Sequence, residues 1–133
     1  MSAAGSPKGW TITFADGAVT QLRIDQRFTL LLGGGALIVI GVPFLLRRGT
    51  SEQRVPPGGS DHEVGDALRL FGQVVRVAGT TPDGALIVDF DSGEQIEVPM
   101  DPQFEGWEIH GERGEMWVGL PGGGVAHFPS SST

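Results

Sequence analysis

The chain has 133 residues, 39% hydrophobic and 19% charged, a balance that fits one globular domain and excludes a disordered polar chain. Its formal charge of −7 opposes binding to nucleic acid or to anionic lipid. It has no cysteine, which excludes disulfide frameworks and thiolate metal sites.

The charge is unevenly placed. Residues 1–66 hold six basic and six acidic groups, while residues 67–133 hold three arginines against ten acids, so the second half carries the whole −7. Such a surface suits a basic protein partner; solubility is its plainer use. The 22 glycines fall mostly at turn positions, the pattern of many short strands with tight connections.

In chain order, residues 1–8 and 129–133 are small and polar and are expected to be disordered tails around one domain, residues 9–128. The start lacks the apolar run of a signal peptide, which suggests a cytoplasmic protein. Trp10, Ile12 and Phe14 alternate with threonines, as in a half-buried strand. Asp16-Gly17 reads as a hairpin turn into a return strand over 18–24, with Leu22 and Ile24 inward.

Residues 28–46 carry no charge and have the length of a membrane helix, roughly 20 apolar residues. Gly33-Gly34-Gly35, Pro43 and the β-branched run of Ile38, Val39, Ile40 and Val42 favour a hairpin instead. The expected arms are 28–32 and 37–46, with a bulge at Ile40-Gly41. Both faces of this hairpin are apolar, so both are expected to be covered.

Residues 49–60 read as a linker. A short helix follows near residues 61–71, where Ser60 and Glu63 have capping-box spacing and Val64, Ala67, Leu68 and Phe71 share one face. Strands are expected at 73–78, 86–90, 94–98, 107–110, 116–120 and 125–128, with turns at Pro82-Asp83-Gly84, Asp91-Ser92-Gly93 and Pro121-Gly122-Gly123-Gly124. The fold class is therefore mainly β: an antiparallel meander of about eight to ten short strands in a roll or sandwich, with one helix.

An internal similarity accompanies this parse. A large apolar residue, two spacers and a glycine recur at 14–17, 32–35, 90–93 and 120–123. The second and third also share an exit, Val42-Pro43 and Val98-Pro99, the first of these delayed by two residues. Either a unit is repeated, or separate hairpins use the same turn residues.

Motifs that carry chemistry are few. The glycine runs match neither a dinucleotide fingerprint nor a Walker loop, and no GxSxG elbow exists. Asp61-His62-Glu63 offers metal-ligand types, but neighbours on one element seldom converge on one ion. Catalytic, cofactor-binding and metal residues are accordingly none. Asp89, Asp91, Glu94 and Glu97 are expected on one outward hairpin face, where unrelieved like charges could attract a basic partner. Trp117, between Met116 and Val118, is a candidate exposed interface anchor, although core packing suits it too.

Arg23-Ile24-Asp25-Gln26-Arg27-Phe28-Thr29-Leu30, Val42-Pro43-Phe44, Leu70-Phe71-Gly72-Gln73-Val74-Val75, 83–90, Trp107-Glu108-Ile109-His110-Gly111 and Leu120-Pro121-Gly122-Gly123 together resemble an uncharacterised family of small actinobacterial β-rich proteins, a domain of unknown function. The resemblance covers about residues 9–128 and carries no chemistry, because its motifs are turns and core positions. Size, charge and strand content are also loosely similar to small acidic immunity proteins, which would imply a toxin as partner. Two functions follow as expectations. One is a non-catalytic interaction module with an acidic C-terminal half that binds a basic protein, with homo-oligomers through edge strands as a further option. The other is a small-molecule binder or enzyme with a cleft between helix and sheet, where His62, Asp66 and Arg69 would gather.

Overall fold

The computed structural model describes residues 1–6, 8–58 and 64–130. Among these, thirteen strands form two antiparallel sheets, and one short helix completes the fold. A hairpin, β1 (Ser2–Ser6) and β2 (Gly9–Thr13), is followed by a meander of β3 (Val19–Ile24), β4 (Phe28–Leu32) and β5 (Leu37–Ile40). A second hairpin follows, β6 (Phe44–Arg48) and β7 (Ser51–Val55), then a 3-10 helix at Gly65–Leu70. Two further meanders complete the chain: β8 (Val75–Thr80), β9 (Leu86–Phe90) and β10 (Gln95–Val98), then β11 (Trp107–His110), β12 (Met116–Gly119) and β13 (Val125–Phe128). The seven-stranded sheet runs β1-β2-β8-β9-β10-β6-β7, and the six-stranded sheet runs β13-β12-β11-β5-β4-β3.

Period-two alternation puts one side of each strand into a single core shared by both sheets. Phe28, Leu30, Ile38, Ile40, Trp107 and Ile109 come from one sheet, and Phe44, Leu86, Val88, Ile96 and Val98 from the other. Phe28 and Phe44 meet across the gap with ring centroids 5.2 Å apart. The helix buries Ala67 and Leu70 and leaves Leu68 and Phe71 exposed, so its expected single apolar face is split. Ser60, Asp61, His62 and Glu63, which carry the expected helix cap and metal-ligand types, lie outside the described residues.

Several connections differ from the reading of the sequence. Asp16-Gly17 is a crossing between sheets and not a hairpin, since β2 pairs with β8 while β3 pairs with β4. Gly17 is needed there for close approach, because a Cβ would lie 2.2 Å from the Val75 carbonyl oxygen. The second arm of the central hairpin divides into β5 and β6, which belong to different sheets. Pro43 has no ladder donor, and Gly41 N–H turns to the Gly106 carbonyl at 2.9 Å, so pairing stops and the chain changes layer. The expected linker contains β7, a polar strand that pairs with β6 at the sheet edge. The expected N-terminal tail contains β1, paired with β2 over five residues. Ile24 is inward in phase but exposed, because β3 is an edge strand.

The internal similarity is a duplicated unit. Strands β3 to β7 and β8 to β12 have the same succession and nearly the same lengths, and they swap sheets at the same point. The register repeats pair for pair. Val19↔Leu32, Leu22↔Leu30 and Ile24↔Phe28 correspond to Val75↔Phe90, Ala78↔Val88 and Thr80↔Leu86. Even the irregularity repeats, between Val19 and Gln21 in one unit and between Val75 and Val77 in the other. Ile38↔Ile109 likewise matches Ile96↔Leu46. Between the units, Val19 N–H donates to the Gln73 carbonyl and Val75 N–H to the Gly17 carbonyl, each at 2.8 Å, around the bridge Ala18↔Val74. The two Val-Pro exits are the two changes of layer, and both valines lie beside Gly106. Hairpins that merely shared turn residues would not share a register and a bulge.

Candidate functional site

The duplication supplies an internal control on the two outer faces, since each outward position of one sheet has a counterpart in the other. On the seven-stranded sheet, Asp89, Gln95, Arg47 and Glu52 form a cross-strand row. Gln95 Nε2 donates to Asp89 Oδ1 at 2.8 Å, Arg47 Nη1 to Gln95 Oε1 at 3.2 Å, and Arg47 Nε to Glu52 Oε2 at 2.7 Å. Arg47 Nη1 also donates to Glu97 Oε1. These carboxylates, Glu97 foremost and then Glu52, hold the Arg47 guanidinium above its ordinary pKa.

This arrangement changes the standing of the expected acidic face. Asp89 and Glu97 do face outward, but Gln95 and Arg47 engage them. Glu94 has the inward parity of Ile96 and is 8% exposed, with Oε1 accepting from Gln73 Nε2 at 3.0 Å and Oε2 without a hydrogen-bond partner among the described residues. Asp91 stays exposed at the turn. Alternation separates Glu94 from Glu97, so the four acids do not share a face. Trp117 is 1% exposed and packs on Trp10 and His127, so it is a core side chain and not a surface anchor.

The six-stranded sheet differs at the same positions. Pairing aligns Met116, His110, Leu37, Leu31 and Gln21 in one row, and Val118, Glu108, Val39, Thr29 and Arg23 in the next. Leu31, Leu37, Val39, Met116 and Val118 stand where the other sheet has Asp89, Gln95, Glu97, Glu52 and Arg54. The exchange is not one-way, since Thr29 and Glu108 stand opposite Ile87 and Leu45. On β13 the outward residues are Ala126 and Phe128, the latter 51% exposed. Leu31, Leu37 and Met116 are half-buried and Val39 and Val118 buried, and among the described residues no further strand layer lies over them. Both faces of the central hairpin were expected to be covered; this one is covered only in part. Glu108 sits among these side chains, with His110 Nε2 at 2.8 Å from its Oε1 and Arg27 Nη1 at 3.7 Å from its Oε2.

The alternative cleft exists as a depression of about 270 Å³ between the helix and the β6–β7 hairpin. Asp66 and Arg69 line it, paired at 3.7 Å, but their side chains are largely exposed, and His62 lies outside the described residues. Among the described residues, no group of three or more histidines and carboxylates is placed to hold a metal ion. Nor is any helix among them long and apolar enough to cross a membrane; residues 28–46 are strands and turns.

Fold and surface define the class: a duplicated, two-sheet antiparallel β protein whose two outer faces place polar and apolar side chains at different positions. The chain belongs to a family of unknown function, DUF6188, whose model matches residues 10–129. Searches of curated proteins and of solved structures find no match. The apolar outer face escaped the sequence because outward Leu31 and Leu37 look like core residues until the layers are known. Two-sided hydrophobicity of the central hairpin was the available signal.

Proposed function

We propose that the protein is a non-catalytic interaction module that docks a partner on the outer face of its six-stranded sheet. One observation carries this: five apolar residues occupy positions that the duplicated unit fills with Asp89, Gln95, Glu97, Glu52 and Arg54. The fold accepts polar side chains at those positions, so folding alone does not call for the half-buried Leu31, Leu37 and Met116, while Val39 and Val118 are themselves buried. Half-buried apolar side chains on an outer sheet face, with the exposed Phe128 at its edge, suit a contact surface.

Residues 101–115 hold five acids against one arginine, a balance of −4, and they comprise β11 and the loops at its ends. This negative rim favours a partner whose apolar patch is flanked by basic residues, and it would raise the association rate at low salt. A toxin of the kind implied by the likeness to immunity proteins would be one such partner.

The test substitutes each residue by its counterpart in the other sheet: Leu31→Asp, Leu37→Gln and Met116→Glu together. The variant should keep the wild-type circular dichroism spectrum and lose the proteins that the wild-type chain captures from a native lysate. Unchanged capture by the folded variant would remove the docking face. An unfolded variant would show that the apolar side chains serve stability.

A further inference from the structure

Three strands lie outside the duplicated unit: β1 and β2 extend one sheet, and β13 extends the other. All three are on the same side of the molecule, because Trp10 of β2 meets Trp117 and His127 of β12 and β13. Between them is a cleft of about 330 Å³ lined by Met1, Ala3, Trp10, Glu115, Trp117 and His127, among others. The additions therefore cover two strand edges and also build a concave site that the duplicated frame lacks.

Its walls have a specific chemistry. Trp10 and His127 rings are 4.5 Å apart, and Trp117 stacks on His127 at 5.0 Å with an 18° interplanar angle. Glu115 adds a carboxylate whose Oε1 accepts the Arg113 N–H at 2.9 Å. The Met1 ammonium is engaged by Glu112 at 3.6 Å, so it does not stand alone against a bound cation. The counterparts of Trp117 and Glu115 in the other unit are Gln53 and Ser51, so the frame does not require an aromatic ring or an acid at these positions.

We propose that this cleft binds an organic cation, an alkylammonium or guanidinium head group on an aliphatic stem. The half-buried Trp10 indole attracts a cation through its ring quadrupole, the buried Trp117 backs the exposed His127 ring, and a carboxylate at the rim adds to that field while repelling anions. The volume lies at the low end of small-molecule sites, enough for a head group and short stem. This site is separate from the outer sheet face, and the inference stands or falls independently of the docking reading.

The test uses the full chain with 15N-labelled tryptophan and follows the indole signals during titration with choline, and separately with its neutral isostere 3,3-dimethylbutan-1-ol. Choline should shift the Trp10 signal saturably, with affinity about 2- to 30-fold above the isostere. Glu115→Gln should weaken choline about 2- to 5-fold and leave the isostere unchanged. Blocked lysine and blocked arginine amides form a second arm. Tighter binding of these than of choline assigns the cation to a protein side chain, and the reverse assigns it to a free amine. No saturable shift with any cation, equal affinity for choline and isostere, or a Glu115→Gln variant with unaltered choline affinity would each overturn the proposal. Because Glu115 is only half-buried and its fold is reported by the same spectra, a misfolded variant is recognised directly.

Discussion

Gly119 has no side chain because Trp107 fills the space where one would project. A Cβ there would lie 2.4 Å from Trp107 Nε1, which donates to the Gly84 carbonyl at 2.9 Å inside the core. Gly119→Ala should therefore cost about 1–3 kcal/mol by overpacking, measured by urea denaturation. Gly79 is the opposite case. Its φ is not positive, its nearest obstacle is 3.7 Å away, and Arg23 occupies the equivalent place in the other unit. Gly79→Ala should stabilise by about 0.4–1 kcal/mol through the unfolded chain; a loss of that size would refute the equivalence of the two positions. Arg47 makes a prediction about pH. Its raised pKa means that its contribution is full below the ordinary guanidinium pKa and is lost only as pH rises through the raised value. The stability difference between wild type and Arg47→Met should therefore stay constant from mildly acidic to mildly alkaline pH, and a difference that faded across neutrality would point to another titrating group.

At the scale of elements, the units β3 to β7 and β8 to β12 complete both central ladders without β1. Deleting residues 1–6 should leave the fold intact and lower its stability by about 1–3 kcal/mol. The loss should arise at Trp10, which packs beside Gly5 of β1, and should appear as a red shift in tryptophan fluorescence. Hydrogen exchange should keep β4, β5, β9 and β10 protected, since each is paired on both sides within the frame. Global unfolding on deletion would show that the hairpin is integral to the frame and not an addition to it.

At the scale of the molecule, the pairings β10 with β6, β11 with β5 and β2 with β8 join distant parts of the chain. Loop closure must precede those contacts, so refolding should be slow for the chain's length, in the millisecond-to-second range. Stopped-flow fluorescence would measure it, and folding within microseconds would contradict this topology. The same long-range pairing separates the two outer faces. One carries a hydrogen-bonded ladder around Arg47, and the other carries leucine, valine and methionine around Glu108. Exchange of Asp89 and Glu97 for their amides should consequently leave partner capture unchanged, whereas the Leu31, Leu37 and Met116 substitutions should abolish it.

The sequence by itself determined most of the strands and turns, but not the polar edge strands β1 and β7 or the division of β5 from β6. Alternation of apolar and polar residues marks β9, β10 and β11, and Pro82-Asp83-Gly84 and Asp91-Ser92-Gly93 mark the turns on either side of β9, because both signals are local in φ, ψ and side-chain phase. It also held the trace of duplication, in the paired Val42-Pro43 and Val98-Pro99 exits. Only the tertiary structure decided which strands share a sheet. Asp16-Gly17 looks like a hairpin turn but is a crossing, since the partner of β2 is β8, more than sixty residues away. The candidate sites depended on that decision. Parity placed Glu94 inside and Glu97 outside, and the register brought Arg47 to the acids that had seemed unrelieved. Leu31 and Leu37 are indistinguishable from core leucines along the chain, because hydrophobicity is a property of the residue and burial is a property of what lies opposite.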